Sequence, residues 1–299
     1  MSDAGVLDVE PGDPRLDRFR GIRDRDLRGT HRLHAIESER VVRRFLHAAL
    51  RRVHEPMPPR LDPHAVLVTP DAWERLATLV REARAHFPAL AAYRCADEHA
   101  LTAVTGYTMH SGAIALGTRH ADGTVDELAE ALARVPFAGR DVLVALDGVT
   151  QTDNVGAIFR NAASFGARGA ILSHRASDPF LRKTLRVSMG RALNIPWARA
   201  ASEEWPRCLE RLRAEHGRAI VAAEDTPDAT LVADFRPPPK SVVVFGAEQD
   251  GVSREVLDLA DAVVKIPMSD LAGALSDDPP SLNVSVASAV VLHALVAGA

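Results

Sequence analysis

Two polar side chains, Asn154 and Arg160, stand six positions apart in a segment whose other residues follow a helical apolar pattern. The apolar run 142–146 precedes them, and such a run is typical of a strand covered on both faces. Gly156 lets the backbone approach a ligand closely, and the planar guanidinium of Arg160 offers paired donors that suit a phosphate. The pattern predicts a ligand site at the carboxyl end of a strand, where open α/β sheets bind ligands.

Two further polar stretches follow apolar segments later in the chain. Glu248 lies in a turn between Gly246 and Gly251, and Ser281 and Asn283 open the last apolar helix. Glycine turns and polar helix caps are also ordinary features of α/β folds, so each stretch alone fits a structural role. Their recurrence beyond successive strands favours one shared pocket.

The elements that would position these side chains alternate between strand-like and helix-like patterns, which predicts an α/β fold. The compact strand–helix–strand unit over residues 142–173 requires a parallel sheet. Within it, Asp153 or Asn154 is expected to cap the helix that Gly166 ends. We predict a loose tail over 1–14, a small α/β domain over 15–118, a linker over 119–139 and a second α/β domain over 140–299.

The composition is that of a folded protein that stays out of the membrane. Hydrophobic residues make up 46% of the chain, yet no apolar run reaches the roughly 20 residues that span a bilayer. The first residues lack the pattern of a signal peptide, and two cysteines are too few for a disulfide framework or a structural zinc site. We therefore expect a cytoplasmic protein with no metal.

Charge is distributed unevenly along the chain. The net charge of −4 argues by itself against a nucleic-acid partner. However, residues 15–60 hold 13 arginines against 6 acidic residues, and residues 160–199 hold 8 Lys or Arg against Asp178 alone. Two basic segments in an acidic chain are typical of contact surfaces for a polyanion such as RNA. Solvated helix faces are the alternative interpretation of either segment taken alone.

The phosphate-binding motifs of other nucleotide enzymes are absent from the sequence. The helix after residues 142–146 has no Gly-x-Gly-x-x-Gly, and no Gly-x-x-x-x-Gly-Lys-Ser/Thr occurs. A nicotinamide-dependent or other nucleotide-dependent enzyme is therefore disfavoured. The residues alone indicate an α/β ligand-binding domain with basic flanks that suit RNA.

The three polar stretches, in this order and spacing, resemble the signature motifs of the SpoU (TrmH) family of RNA methyltransferases in the SPOUT superfamily. Residues 153–162 resemble the first motif, 245–253 the second with 264–268 as its sequel, and 281–287 the third. The resemblance covers about residues 140–299. Through residues 23–27 and 37–42, the N-terminal part also resembles, more weakly, the small ribosomal-protein-like α/β domain with which many members bind RNA.

The resemblance implies transfer of a methyl group from S-adenosylmethionine to a ribose 2′-hydroxyl of tRNA or rRNA. It also implies a homodimer whose parallel sheet carries a deep C-terminal trefoil knot, a rare exception to unthreaded connections. The cofactor would be held, largely through the backbone, by Gly246, Ile266, Met268 and Leu282. In the family the arginine of one subunit commonly faces the cofactor of the other.

The resemblance also implies a role for each polar side chain. Arg160 would fix the target phosphate and stabilise the developing alkoxide, because a guanidinium hardly deprotonates in a protein and makes a poor general base. Asn154 and Asn283 would orient the nucleophile. Glu248 would hold Arg160 or its neighbours, and Ser281 would donate a hydrogen bond.

One departure from the family pattern keeps a second function open. Residues 269–280 form a 12-residue segment where the family usually has a short glycine-rich link, and this segment borders the expected cofactor site. A catalytically inactive RNA-binding protein of the same fold is therefore the alternative to the methyltransferase. The sequence does not specify which RNA or which nucleotide would be modified.

Overall fold

The computed structural model of the chain describes residues 5–21, 32–55, 57–59, 61–109, 111–269 and 281–297. Contacts divide the described chain into two units. The N-terminal unit comprises the chain up to Asp122 together with Phe180–Asn194, and the C-terminal unit comprises Gly123–Pro179 together with the chain from Ile195 onwards. Residues 23–27 of the weaker resemblance and residues 270–280 of the long segment lie outside the described residues.

The strands of the described chain, in order, are β1 (Leu7–Asp8), β2 (Leu33–Glu37), β3 (Leu61–Val68), β4 (Ala91–Arg94), β5 (Ala113–Arg119), β6 (Asp141–Asp147), β7 (Gly169–Leu172), β8 (Trp197–Arg199), β9 (Ala219–Ala223), β10 (Thr230–Leu231), β11 (Lys240–Gly246) and β12 (Ala262–Lys265). The α-helices are α1 (Glu39–His54), α2 (Pro70–His86), α3 (Glu98–Thr105), α4 (Val125–Ala133), α5 (Thr152–Phe165), α6 (Arg182–Val187), α7 (Arg207–His216), α8 (Arg254–Leu259) and α9 (Val284–Leu292).

The N-terminal unit is built on a mixed sheet with strand order β1-β4-β3-β5-β2. Strands β1, β3 and β4 are parallel, whereas β5 runs antiparallel to β3 and β2. The prediction of a loose tail over residues 1–14 is wrong for its described part. Leu7–Asp8 pairs with β4, where Asp8 Oδ1 accepts a hydrogen bond from Arg94 Nε at 2.7 Å, and a two-residue edge strand is too short to leave a periodic pattern in sequence.

The C-terminal unit carries a parallel sheet with strand order β10-β12-β9-β11-β6-β7-β8, which confirms the predicted α/β class. Every residue of β6 is buried, and β11 is buried from Ser241 to Gly246. This is why both strands read as nearly continuous apolar runs. The two strands lie side by side in the middle of the sheet, so residues just beyond them meet at one edge.

Helix α5 begins earlier than the cap prediction requires. Its first residue is Thr152 and Gln151 precedes it without a side-chain cap bond, so the predicted capping by Asp153 or Asn154 is wrong. Asn154 instead lies inside the first turn, where its amide is available for contacts outside the helix. Gly166 ends the helix in the left-handed conformation with φ +87°, as predicted.

The last helix packs along α5. Asn161 Nδ2 of α5 donates to the Ser285 carbonyl oxygen at 2.7 Å and to Ser288 Oγ at 2.9 Å. Helix α9 ends at Leu292 and continues as a π-helical turn, His293–Ala297. These contacts fix the beginning of α9, and with it the third polar stretch, against the helix that carries the first.

A buried ion pair fixes the opposite edge of this sheet. Both carboxylate oxygens of Asp141, the first residue of β6, accept hydrogen bonds from Arg218 at 2.9 Å, and Arg168 Nη1 donates to Asp141 Oδ2 at 2.7 Å. Burial alone would raise the pKa of Asp141, but the hydrogen bonds and charges of the two arginines lower it below its ordinary value.

Candidate active site

Asn154, Glu248 and Asn283 form one hydrogen-bonded cluster, hereafter the polar node. Asn154 Nδ2 donates to Glu248 Oε1 at 2.6 Å, and Asn283 Nδ2 donates to Asn154 Oδ1 at 3.0 Å. A carboxylate can only accept, so Glu248 fixes which end of the Asn154 amide faces it. Asn154 is buried, whereas Glu248 is half-buried. One predicted residue from each of the three polar stretches therefore meets at this point.

Asn283 connects the polar node to the last helix. Its Oδ1 accepts hydrogen bonds from the Ser285 backbone N–H at 2.9 Å and from Ser285 Oγ at 2.6 Å, so Asn283 caps α9. Its Nδ2 remains directed at Asn154. Because both ends of the amide are engaged, the orientation of Asn283 is set by the helix cap and by the node together.

A cavity of about 450 Å³, hereafter the C-terminal cavity, lies beside the polar node. Glu248 and Asn283 of the node line it, as does Ser281. The remaining predicted contacts also line it: Gly246, Ile266, Met268 and Leu282. Four residues predicted to hold a cofactor and three predicted to act in catalysis therefore surround one space.

The glycine turn, residues 246–251, forms part of the wall of this cavity. Ala247 and Gly251 exchange two backbone hydrogen bonds of 3.0 Å, which closes the turn tightly. A Cβ atom on Gly246 would lie 2.0 Å from the carbonyl carbon of Gly251 and 2.1 Å from the nitrogen of Val252. Only glycine fits at position 246, so the turn can fold back directly after β11 and present its backbone and Glu248 to the cavity.

Sequence reasoning missed four polar residues that line the C-terminal cavity: Gln151, Glu224, Asp225 and Lys265. Glu224 and Asp225 directly follow β9, and polar residues just beyond a strand were the signal that found the other stretches. Lys265 lies 3.7 Å from Asp225 and also donates to the Thr226 carbonyl oxygen at 2.9 Å. The same criterion applied to β9 would have identified the two carboxylates.

Arg160 is exposed on α5 and lies outside the polar node. Within the part of the chain that the structure describes, its guanidinium has no hydrogen-bond or ion-pair partner, and it is not among the residues that line the C-terminal cavity. Of the two kinds of partner predicted for Glu248, the one observed is the neighbour, Asn154. Arg160 is therefore available to a group outside the described part of this chain.

The arginines of the first basic segment have mainly structural partners. On α1, Arg44 donates to the Met189 carbonyl oxygen, and Arg52 donates to the Leu193 carbonyl oxygen at 3.0 Å. Arg51 donates to the side-chain oxygen of Asn194 at 3.2 Å. These contacts attach the segment Phe180–Asn194 to α1 within the N-terminal unit. The first basic segment and residues 180–194 of the second, far apart in sequence, thus meet in one unit.

Arg40 and Arg186 are among the exposed arginines of these segments that remain available for a ligand. Among the described residues, neither Arg40 nor Arg186 has a side-chain hydrogen bond or ion pair. Both line a cavity of about 700 Å³ in the N-terminal unit, together with Arg75 and with Glu39. Arg75 Nε donates to Glu39 Oε2 at 2.8 Å, so this arginine is neutralised and the other two are not.

Two absences apply to the described residues. No helix there is long and apolar enough to cross a bilayer. No group of three or more His, Cys, Asp or Glu side chains in the same residues is arranged to hold a metal ion.

Comparison with known proteins places this arrangement among RNA methyltransferases. The model of the SpoU rRNA Methylase family matches residues 141–293. An uncharacterized tRNA/rRNA methyltransferase of Mycobacterium tuberculosis strain H37Rv is 31% identical over 299 residues, covering 96% of this chain and 91% of the relative.

Solved structures share the fold over nearly the whole chain. The AdoMet-bound rRNA methyltransferase from Sinorhizobium meliloti superposes with a TM-score of 0.72 at 21% identity, covering 97% of both chains. The SpoU methyltransferase AviRb from Streptomyces viridochromogenes superposes with a TM-score of 0.67 at 22% identity, covering 94% of this chain and 96% of AviRb.

Proposed function

The chain belongs to the SpoU rRNA methylase family, as its three motifs predicted, and we propose that it methylates a ribose 2′-hydroxyl of tRNA or rRNA with S-adenosylmethionine as the donor. The observation that carries the proposal is the polar node of Asn154, Glu248 and Asn283 beside the C-terminal cavity. An RNA-binding protein that had lost transfer would have no need to keep this cluster hydrogen-bonded. We also propose that the protein is cytoplasmic, as expected from its sequence.

The residues around the C-terminal cavity fit S-adenosylmethionine. Ile266, Met268 and Leu282 would supply apolar walls for the cofactor, and the volume of about 450 Å³ is that of a small-molecule site. The carboxylate of Glu248 favours a cationic ligand over an anionic one. When bound, the cofactor supplies an electrophilic methyl group on its sulfonium.

The protein would contribute position and electrostatics rather than a strong base. Asn154 is held between Glu248 and Asn283, so its amide has one orientation and loses little entropy when a substrate binds. Ser281 would donate a hydrogen bond from the cavity wall. Arg160 would neutralise the target phosphate and the alkoxide that develops as the 2′-hydroxyl attacks.

Arg160 is six residues from Asn154 along α5, about 9 Å of helix, and does not line the cavity of its own subunit. We therefore propose a homodimer in which Arg160 of the partner subunit completes each site. Val286 and Val290, four positions apart on α9, support this: they are 49% and 40% exposed, although both are large apolar side chains.

Introducing charge on this stripe tests the homodimer. Val286→Asp with Val290→Asp should halve the mass measured by sedimentation equilibrium and abolish methyl transfer. Glu255→Gln on exposed α8 serves as the control and should leave the mass unchanged. A wild-type monomer that is fully active would contradict the shared site.

We also propose that the loops after Phe245 and Ile266, together with residues 281–283, form the deep trefoil knot. In support, the later strand β11 lies between the earlier strands β9 and β6 in the sheet. The N-terminal unit is proposed to be the ribosomal-protein-like domain that binds RNA. Its exposed arginines Arg40 and Arg186 would contact backbone phosphates.

Removing these two arginines tests the RNA surface. Arg40→Ala with Arg186→Ala should weaken RNA binding and reduce the slope of log affinity against log salt by about 0.7–0.9 per lost phosphate contact. Arg134→Ala is the matched control, because this arginine is 77% exposed and its one ion pair among the described residues is with Glu130, four positions earlier. An unchanged salt slope in the double variant would remove this surface from the proposal.

The decisive experiment compares wild type with Arg160→Ala. Calorimetry should show one S-adenosylmethionine site per chain in both proteins, and tritium-methyl transfer to total tRNA or rRNA should fall more than tenfold in the variant, roughly 1.4 kcal/mol of transition-state stabilisation. Alkaline hydrolysis of the labelled RNA should leave label in dinucleotides, because a 2′-O-methylated linkage resists alkali. Label in mononucleotides would indicate base methylation, and RNA binding without transfer would favour the inactive RNA-binding protein.

A further inference from the structure

Glu224 belongs to none of the three motifs, yet its carboxylate bonds to the residue that directly follows the glycine turn. It is half-buried, directly follows β9 and lines the C-terminal cavity. Its Oε2 accepts the backbone N–H of Val252 at 2.7 Å, immediately after the turn. The carboxylate therefore holds the end of the segment that carries Glu248.

The fit between Glu224 and the turn leaves no spare room. A Cβ atom on Gly251 would lie 2.4 Å from Glu224 Oε2, and Gly251 has φ +66°. Because Gly246 in turn abuts the backbone of Gly251, the carboxylate and the two glycines interlock. The position of Glu248, and through it the orientation of Asn154, depends on this packing.

The carboxylate of Glu224 keeps unused acceptor capacity toward the cavity. A carboxylate offers about four lone-pair positions. In the described residues Glu224 receives the strong bond from Val252 and a longer one, 3.3 Å, from the Asp225 backbone N–H to Oε1, with no side-chain donor. A partly buried carboxylate with unused lone pairs favours a ligand that brings hydroxyl donors.

We propose that Glu224 has two functions: it positions the glycine turn, and it accepts hydrogen bonds from the ribose hydroxyls of S-adenosylmethionine. The second function rests on the proposed methyltransferase activity. Asp225 is not equivalent, although it lines the same cavity, because it is exposed and Lys265 lies 3.7 Å away. The matched control is Asp228, an exposed carboxylate four positions further along the chain that does not line the cavity.

Calorimetry of Glu224→Gln tests the ribose contact. The new amide can still accept from Val252 through its oxygen but turns a donor toward the cavity, so affinity for S-adenosylmethionine and for S-adenosylhomocysteine should fall by the same factor, on the order of tenfold to a hundredfold. Asp228→Asn, which lies outside the cavity lining, should bind both as wild type does. Wild type should also lose affinity for 2′-deoxy or 3′-deoxy analogues of S-adenosylhomocysteine, whereas Glu224→Gln should not distinguish them.

Hydrogen exchange in the ligand-free protein tests the positioning function separately. Glu224→Ala should speed exchange of the Val252 amide at least tenfold, while Glu224→Gln and Asp228→Asn leave it near the wild-type rate. Unchanged exchange in Glu224→Ala would overturn the positioning function.

The remaining outcomes separate this inference from the proposed function. A larger loss for S-adenosylmethionine than for S-adenosylhomocysteine would overturn the ribose assignment, because only the former carries the sulfonium charge. Normal binding of both by Glu224→Gln would overturn it as well. Failure of wild type to bind S-adenosylmethionine would overturn the proposed function together with the ribose contact, and the exchange result would still decide the positioning function.

Discussion

Replacing Asn154 with aspartate should turn the central hydrogen bond of the polar node into a repulsion. The change is nearly isosteric and keeps the oxygen that accepts from Asn283. It replaces the Nδ2 donor, which lies 2.6 Å from Glu248 Oε1, with a second carboxylate oxygen. Two carboxylates at this distance cannot both be ionised without a large energetic cost.

The magnitude follows from that distance. Loss of a hydrogen bond to a charged acceptor costs about 1.5–3 kcal/mol. The Coulomb repulsion of two charges 2.6 Å apart, at an effective dielectric constant near 20, adds at most about 6 kcal/mol. Proton sharing between the carboxylates relieves most of the repulsion, so we expect Asn154→Asp to lower the free energy of unfolding by about 2–4 kcal/mol at pH 7.

The sign of the pH dependence is also fixed. In the folded variant the pKa of the carboxylate pair is raised above its unfolded value, so the folded state is favoured at low pH and this advantage is lost as pH rises. The deficit relative to wild type should therefore shrink between pH 7 and pH 5. Urea denaturation at one fixed protein concentration measures it, because the stability of the proposed dimer would depend on concentration.

A second substitution supplies the control. Glu248→Gln alone keeps an oxygen that accepts from Asn154 and should cost less than about 1 kcal/mol. In the double variant the new glutamine can donate to the new aspartate, so the donor and acceptor roles are exchanged. We expect the double variant to be about as stable as Glu248→Gln, with a coupling energy of about 2 kcal/mol or more. Strictly additive losses would refute the hydrogen bond as the link between the first two motifs.

Two further predictions concern buried groups. Asp141→Asn should lower the free energy of unfolding by about 3–5 kcal/mol at pH 7, because it leaves Arg218 buried against a neutral amide. Burial alone would raise the pKa of Asp141, but Arg218 and Arg168 outweigh this effect and the pKa is lowered. The advantage of wild type in urea denaturation should therefore persist above about pH 4 and vanish as pH falls through the lowered pKa. Burial raises the pKa of Cys95 to about 11 and of Cys208 to about 12, so neither thiol should react with Ellman's reagent at pH 8 until denaturant is added. A thiol that reacts rapidly in the folded protein would contradict this burial.

The sequence predicted those helices and strands whose formation depends on residues close to them in the chain. β6 and β11 read as strands because parallel strands covered on both faces are apolar at every position. α2 begins after Thr69, a residue type that commonly caps helices, and Thr69 Oγ1 accepts from the Ala72 backbone N–H at 3.4 Å. β2 escaped detection because its burial is set by distant residues: His34 Nδ1 lies 3.0 Å from the Phe180 carbonyl oxygen, 146 positions away.

The candidate site was predictable to the extent that strand ends converge. Parallel strands bring their carboxyl ends to one edge, so Glu248 and the beginning of α5 were expected to lie close together. The direction of each hydrogen bond was not predictable. It depends on α5 beginning at Thr152, which places Asn154 inside the first turn and directs its amide to Glu248 instead of to a cap.

The arginine-rich segments show where counting charges fails. The guanidinium of arginine presents a planar set of donors that matches a phosphate, but the same donors match a backbone carbonyl equally well. Arg44 and Arg52 use them on the carbonyl oxygens of Met189 and Leu193, which joins two segments of high positive charge without any ligand. A sequence cannot distinguish these uses, since the carbonyl partners are more than 140 positions away. In such segments, only the arginines that the fold leaves exposed and unpaired can add to the salt dependence of RNA binding. The slope of log affinity against log salt should therefore be much smaller than the number of arginines suggests.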